Sequence, residues 1–264
     1  TTSVKYGTTR DKLVGAELIL SDGSLIRTGY DESDKSSDFW NQINTVTEEM
    51  IASKELKEAV LQTSPKPDIH RRNTGYNLEA LFKAQSADNH LKLLPLIAGS
   101  EGTLCFATKI RLQTDPLPPA EEAILCAHFS SMRGAMEATR IIMKQKPFAC
   151  ELMDKKILHL ASKNKVQEEN SFFVEGDPEA ILAIELRGDT KEALENEIKM
   201  SQEALREVES CFAFPVVRPP RTNAVWTLRA AGLGVLSNFP GDEKPVAFVE
   251  DTAVSLKDLP DYIT

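Results

Sequence analysis

Asp115-Pro116-Leu117-Pro118-Pro119 divides this sequence into two unlike halves. Proline lacks a backbone N–H and fixes φ, so three prolines in four residues stop both helix and sheet. A domain boundary is expected here, with residues 1–116 on one side and 120–264 on the other. The chain has 264 residues, which suggests one large domain or two ordinary ones.

Working back from the break, Leu104, Phe106, Thr108, Ile110 and Leu112 alternate with other residues, the pattern of a half-buried strand. It runs out of Gly99-Ser100-Glu101-Gly102-Thr103, and the apolar stretch Leu93 to Ala98 reads as a strand leading in. Further upstream, Ala16 to Leu20 and Leu25 to Thr28 flank Ser21-Asp22-Gly23-Ser24. Asp-Gly between two such runs signals a hairpin, because glycine accepts the positive φ of tight turns. After an acidic loop at Asp31 to Lys35, Phe39, Ile43, Val46 and Met50 recur at helical spacing, with Asp38 expected to cap the start.

Working forward, strands and helices alternate. Ala123 to Phe129, Phe148 to Met153, Ile181 to Arg187 and Phe212 to Val217 read as strands. Met132, Met136, Thr139 and Met143 mark one amphipathic helix, and Leu194, Ile198, Leu205 and Val208 a second. Asp189-x-x-Glu192 resembles a capping box at the start of the second. Helices and strands of these lengths predict a two-layer α/β sandwich of ferredoxin-like arrangement.

Hydrophobic residues make up 41% and charged residues 27%, the composition of a globular chain able to bury a full core. The formal charge is -9, from 31 Lys+Arg against 40 Asp+Glu. Such a surface repels phosphate backbones, so no nucleic-acid partner is expected. No apolar run approaches the roughly 20 residues that span a bilayer. Cys105, Cys126, Cys150 and Cys211 are widely spaced in apolar stretches, without C-x-x-C pairing, and are expected to be buried thiols in a reducing compartment. Thr1 to Tyr6 carries neither an initiator Met nor a signal peptide and reads like mid-protein sequence.

Few stretches offer chemistry by pattern. The two glycines of Gly99 to Thr103 permit close backbone approach to a ligand, but no helix or G-x-G-x-x-G spacing accompanies them, so a tight connection serves equally. Arg71-Arg72-Asn73-Thr74-Gly75-Tyr76-Asn77 is locally basic, and its guanidinium forks match a carboxylate or phosphate. A solvated loop anchored by Tyr76 is the alternative. Trp226 and Arg229 share a helix face, either as an arginine stem packed on an indole or as a carboxylate-binding arginine held by its neighbour. His70, His90, His128 and His159 show no metal-ligand spacing and read as surface or satisfied core histidines, so no metal site is expected.

Several motifs together say more. Tyr6-Gly7-Thr8-Thr9-Arg10-Asp11-Lys12-Leu13-Val14-Gly15, Ser21-Asp22-Gly23, Asn73 to Leu78 and Gly99 to Leu104 occur in order, followed by Glu151-Leu152-Met153-Asp154, Trp226 to Arg229 and Phe248 to Val254. This series resembles the FAD-linked oxidases of the vanillyl-alcohol oxidase type, in the branch of D-lactate, glycolate and D-2-hydroxyglutarate dehydrogenases. The resemblance covers essentially the whole chain. It implies an α+β protein: part of a FAD-binding domain (its second subdomain) over residues 1–116, then part of the ferredoxin-like substrate domain over 120–264. It implies FAD contacts from Tyr6, Gly7, Thr8, Gly99, Ser100, Glu101, Gly102, Thr103 and Phe106. It also implies a substrate carboxylate on Arg229, with Arg72 as a second candidate. Cys105 stands where the family usually has Gly, at the cofactor edge. Leu233 stands where a substrate-binding Thr stands in some relatives, so a generic 2-hydroxy acid, D-lactate- or glycolate-like, is implied ahead of 2-hydroxyglutarate.

In such enzymes a hydride passes from the hydroxy acid to the flavin, and an iron–sulfur domain or subunit, a quinone or a carrier protein takes the electrons. A cytoplasmic location follows, with peripheral attachment to the inner membrane as a variant. The family's pyrophosphate-binding Gly-rich loop precedes residues like Tyr6, and its Gly-Asp-Gly-Asn-x-His segment follows the strand at Phe248. Neither motif occurs between Thr1 and Thr264. The expectation is an internal fragment, without catalytic residues of its own and purifying without FAD. Two other readings stay open: a non-catalytic scaffold that keeps the fold, and an alkylglycerone-phosphate-synthase-like flavin transferase.

Overall fold

Asp22 and Gly23 turn the first two strands back on each other. Gly23 adopts φ +85°, and the Asp22 carboxylate accepts from the Ser24 amide at 2.9 Å and its hydroxyl at 2.6 Å. β1 (Leu13–Ile19) and β2 (Leu25–Thr28) pair antiparallel, Ile19 opposite Leu25. β3 (Phe106–Leu112) pairs with the other side of β1, giving the order β2-β1-β3. The computed structural model describes residues 3–29, 37–69, 75–83, 93–237, 241–242 and 252–264.

One face of this sheet buries Ala16, Leu18, Leu20 and Ile26 against Trp40, Leu81 and Leu94. Trp40 comes from α1 (Asp38–Ala52), which is followed by α2 (Lys54–Thr63). Ser37 caps α1, its hydroxyl accepting from the Trp40 amide. Asp38 is the first helical residue rather than the cap, because only the extended residue before it can aim a side chain at the third amide.

Two expectations for this half fail. Leu93 to Ala98 is no strand: Leu94–Ile97 forms a short helical turn. Pro95 presets φ for a first helical turn and has no N–H to give to a ladder, and so short an apolar run has no period of its own to decide the matter. Nor is β3 half-buried, since all seven of its residues are exposed. Leu18 faces Ala107 while Glu17 faces Lys109, so Thr108 is an extra residue and the strand bulges there. Phe106 and Ile110 consequently fall on opposite faces of an edge strand, and the alternation seen in sequence never forms one stripe.

The second sheet comprises β4 (Glu121–Phe129), β5 (Ala149–Asp154), β6 (Ala180–Gly188), β7 (Cys211–Ala213) and β8 (Val216–Val217). Its order is β5-β6-β4-β7, antiparallel throughout, with β8 also on β4. α3 (Met132–Ile142) joins β4 to β5, and α5 (Lys191–Arg206) joins β6 to β7, which is the split βαβ connectivity of a ferredoxin-like fold. α4 (Lys155–Ser162) lies between β5 and β6, and α6 (Thr222–Ser237) follows β8. Thr190, not Asp189, caps α5, its hydroxyl accepting from the Ala193 amide at 3.1 Å. The expected single strand over Phe212 to Val217 is two short ones.

The two central strands are apolar on both faces, and helices cover both. Leu125, Ala127, Phe129, Leu182 and Ile184 pack with α3 and α5, while Ile124, Cys126, Ile181 and Ala183 pack with Leu158 of α4 and Val225 and Leu228 of α6. The α4 and α6 layer is additional to the two layers expected. His128 is fully buried there. Its Nε2 accepts from the Glu175 amide at 3.1 Å, which leaves the proton on Nδ1 for the Cys126 carbonyl at 2.8 Å. It is a satisfied core histidine.

The described chain divides into two compact units, Gly7–Pro116 in one and Thr1–Tyr6 with Leu117–Thr264 in the other.

Candidate functional site

The Gly99 loop gets its shape from three left-handed positions within four residues. Gly99 has φ +93°, Glu101 +52° and Gly102 +76°, while the Ser100 amide bonds back to the Ile97 carbonyl and the Thr103 amide to the Ser100 carbonyl. Glycine adopts such angles without steric cost, and Glu101 does so at some strain. Ser100 is buried beneath, whereas Glu101, Gly102 and Thr103 are exposed.

Arg10 brings a distant part of the sequence to this loop. Its Nε donates to the Ala98 carbonyl at 3.2 Å. A Cβ on Gly99 would sit 2.7 Å from its Nη2 and push the end of that side chain aside, while the φ of +93° is what calls for glycine. Arg10 lies in the helical turn Thr9–Lys12, capped by Thr8, and both the Thr8 amide and hydroxyl donate to Asp11 Oδ2, at 2.7 and 2.9 Å. Gly7, at φ +78°, is equally confined, since a Cβ there would meet Asp11 Oδ2 at 2.7 Å. Gly7 and Thr8 thus belong with the Gly99 loop through Arg10, which no pattern in the sequence singles out. Its signal was the guanidinium inside the Thr8-Thr9-Arg10-Asp11 motif.

From the other side, the Tyr76 hydroxyl bonds the Thr103 hydroxyl at 2.6 Å, and Thr103 Oγ1 donates to the Ser100 carbonyl at 2.6 Å. Phe106, three residues on, is 69% exposed. Tyr6 goes elsewhere. It belongs to the other unit, where its ring meets the Phe148 edge at 6.0 Å, so the Tyr6 to Thr8 stretch is divided between the two units. Arg72 lies outside the described residues.

Arg229 occupies α6 of the unit formed by Thr1–Tyr6 and Leu117–Thr264. Leu228 beside it and Val225 one turn earlier are fully buried and fix the helix on the sheet. Gly232 allows close approach to Ile157 of α4, since a Cβ there would meet Ile157 Cδ1 at 3.2 Å. Arg229 meets Glu151 of β5, with Nε at 3.0 Å and Nη2 at 2.8 Å from the same oxygen, Oε2. Trp226 packs on the core beneath, as a partly buried side chain. Among the described residues no group of His, Cys, Asp and Glu can hold a metal ion.

Residues 118–264 match the family described as FAD linked oxidases, C-terminal domain. The chain belongs to the FAD linked oxidases. It is 28% identical to the D-2-hydroxyglutarate dehydrogenase of Pseudomonas putida over 271 residues, 99% of this chain and 26% of that protein. It is 25% identical to that of Haemophilus influenzae over 286 residues, 99% of this chain and 27% of that protein. The chain spans about a quarter of the length of the curated relatives it matches. A solved structure of 4-ethylphenol oxidase from Gulosibacter chungangensis superposes with a TM-score of 0.48 at 14% identity, covering 89% of this chain and 42% of that one.

FAD is the cofactor of this FAD linked oxidase family. The Gly99 loop fits it. A Cβ at Gly102 would meet nothing within 4 Å, so open space adjoins an exposed glycine backbone. Exposed Phe106 offers an apolar surface, and the Tyr76 and Thr103 hydroxyls offer polar contacts. No described helix of this FAD linked oxidase is long and apolar enough to cross a membrane.

Proposed function

We propose that this chain is a segment of a FAD-dependent dehydrogenase that oxidises a small 2-hydroxy acid, D-lactate- or glycolate-like. Each unit carries a candidate group of its own. Residues 7–116 contribute the Gly99 loop, with Gly7, Thr8, Ser100, Glu101, Gly102, Thr103 and Phe106 as the cofactor-facing set. Residues 117–264 contribute the substrate contact. Tyr6, packed on Phe148 in the other unit, stands apart from this set, and Arg72 is a second carboxylate contact.

When bound, FAD supplies the hydride acceptor for oxidation of the substrate's C2. Arg229 then fixes the carboxylate of the hydroxy acid. A guanidinium suits this task because its planar fork matches a carboxylate in two parallel hydrogen bonds and stays charged at every working pH. The electrons leave to an iron–sulfur domain or subunit.

The observation that carries this reading is the placement of Arg229 within the matched family region, half-exposed, with its guanidinium held by Glu151. In the full-length enzyme, Arg229→Ala should lower kcat/KM for 2-hydroxy acids about a hundredfold, the scale of a lost charge-assisted pair. Unchanged kinetics would remove Arg229 from the site. The chain by itself is proposed to be inactive and to purify without flavin; a stoichiometric flavin absorbance would overturn that part.

A further inference from the structure

The proposed substrate contact leaves Glu151 without a role, although Glu151 is the more buried member of the pair. Its side chain is 15% exposed against 48% for Arg229. It lies on β5, the edge strand of the sheet, opposite Ala183 of β6 and on the same side as buried Met153. A carboxylate on a paired strand has little freedom to move. The guanidinium, at the end of a long flexible stem, is the member that gets placed.

An exposed arginine gains little stability from an ion pair. The value of this pair lies in geometry. Glu151 takes Nε and Nη2 through the single atom Oε2, at 3.0 and 2.8 Å, and so engages one edge of the guanidinium. The outer edge, Nη1 with the second Nη2 hydrogen, is the remaining fork of the right width for another carboxylate.

We infer that Glu151 is a positioning residue, holding Arg229 by its inner edge so that the substrate carboxylate docks end-on against Nη1 and Nη2. This rests on the reading of Arg229 as the substrate-carboxylate ligand. Its consequence is a selection of shape. An arginine clamped on one edge accepts one carboxylate in one orientation, and a freely rotating one accepts several poorly.

Positioning and plain electrostatics predict opposite signs. Glu151 is an anion close to where an anionic substrate must bind. As a bystander it repels that substrate, and Glu151→Gln would lower KM. As a positioning residue its loss frees the guanidinium, and Glu151→Gln raises KM for the 2-hydroxy acid roughly tenfold with kcat changed much less. The experiment is steady-state kinetics of the full-length holoenzyme with Glu151→Gln, Arg229→Ala and the double variant, alongside thermal melting of each. The expected result is a raised KM in Glu151→Gln at near-native melting temperature, partial recovery in Glu151→Asp, and no further rise when Glu151→Gln is added to Arg229→Ala. A lowered or unchanged KM in Glu151→Gln, or full additivity in the double variant, would overturn the inference while Arg229→Ala still reports on the substrate contact. An inert Arg229→Ala would instead overturn the reading on which it rests.

Discussion

The two sheets of this protein solve the burial problem differently. In the β5-β6-β4-β7 sheet both central strands are apolar on both faces and helices cover each face, so almost every residue of β4 and β6 is sealed from water. In the β2-β1-β3 sheet only one face is packed among the described residues, and the whole of β3 is exposed. Across the uncovered face, Ile19 stands between Leu25 and Phe106, all three exposed, and Glu17 stands between Arg27 and Lys109. The doubly covered sheet carries the arginine on an outer helix, whereas the singly covered sheet carries the glycine loop directly on its edge strand.

The contrast breaks first at the core. Phe129 is fully buried and Phe106 is 69% exposed. Phe129→Ala should cost about 3–5 kcal/mol of stability in urea unfolding, and Phe106→Ala within about 0.5 kcal/mol. Comparable losses would show that the edge strand is covered after all.

Gly99 is a smaller lever on the open sheet. Gly99→Ala places a Cβ 2.7 Å from Arg10 Nη2 at φ +93°, and should cost about 1–3 kcal/mol. The same change at Gly102, equally left-handed at φ +76° but with no neighbour within 4 Å, should cost about 1 kcal/mol. Equal losses would mean that Arg10 does not confine the loop.

Acid separates the two sheets more finely. Hydrogen bonds from Arg27, Lys109 and Thr108 hold the Glu17 carboxyl down at about 2, against the opposing push of burial, while an ordinary carboxylate titrates at 4.5. Its contribution is therefore complete above 4.5 and is lost as the pH falls from there toward 2. Burial pushes the His128 imidazole below its ordinary 6.5, so the unfolded chain takes up that proton first. The sheet of β4 and β6 should begin to lose stability as the pH falls below 6.5, and the sheet of β1 and β3 only below 4.5. Hydrogen exchange of the two sheets across this range measures it, and a common window for both would contradict the assignment. His128→Gln should flatten the upper window and leave the lower one in place.

Much of this was legible in local chemistry. Asp22-Gly23 announced its hairpin because only a left-handed turn residue closes so short a connection. The strands at Ala123, Phe148 and Ile181 and the helices at Met132 and Leu194 were readable because length and period agreed there, whereas α4 went unread. The errors came where local signals were too short to decide: Leu94–Ile97 is a single turn, and β3 hides a bulge at Thr108 that leaves its apolar alternation intact on paper. The candidate site was half legible. Its glycines and Arg229 stood in recognisable motifs, while Arg10 and Glu151 lay inside the same motifs with nothing to mark what they touch.

The sequence alone determined the Asp22-Gly23 hairpin and most strands of the ferredoxin-like sheet, and its motifs carried the resemblance to the family. The hairpin and strands follow from period and turn residues, which act within a few positions. Only the tertiary structure decided that Arg10 reaches Ala98, 88 residues away, and that Glu151 clamps Arg229 across 78. It also decided that Tyr6 packs on Phe148 and that β3 stays exposed. Such pairings depend on which surfaces the folded backbone brings together. Residue spacing carries no record of that.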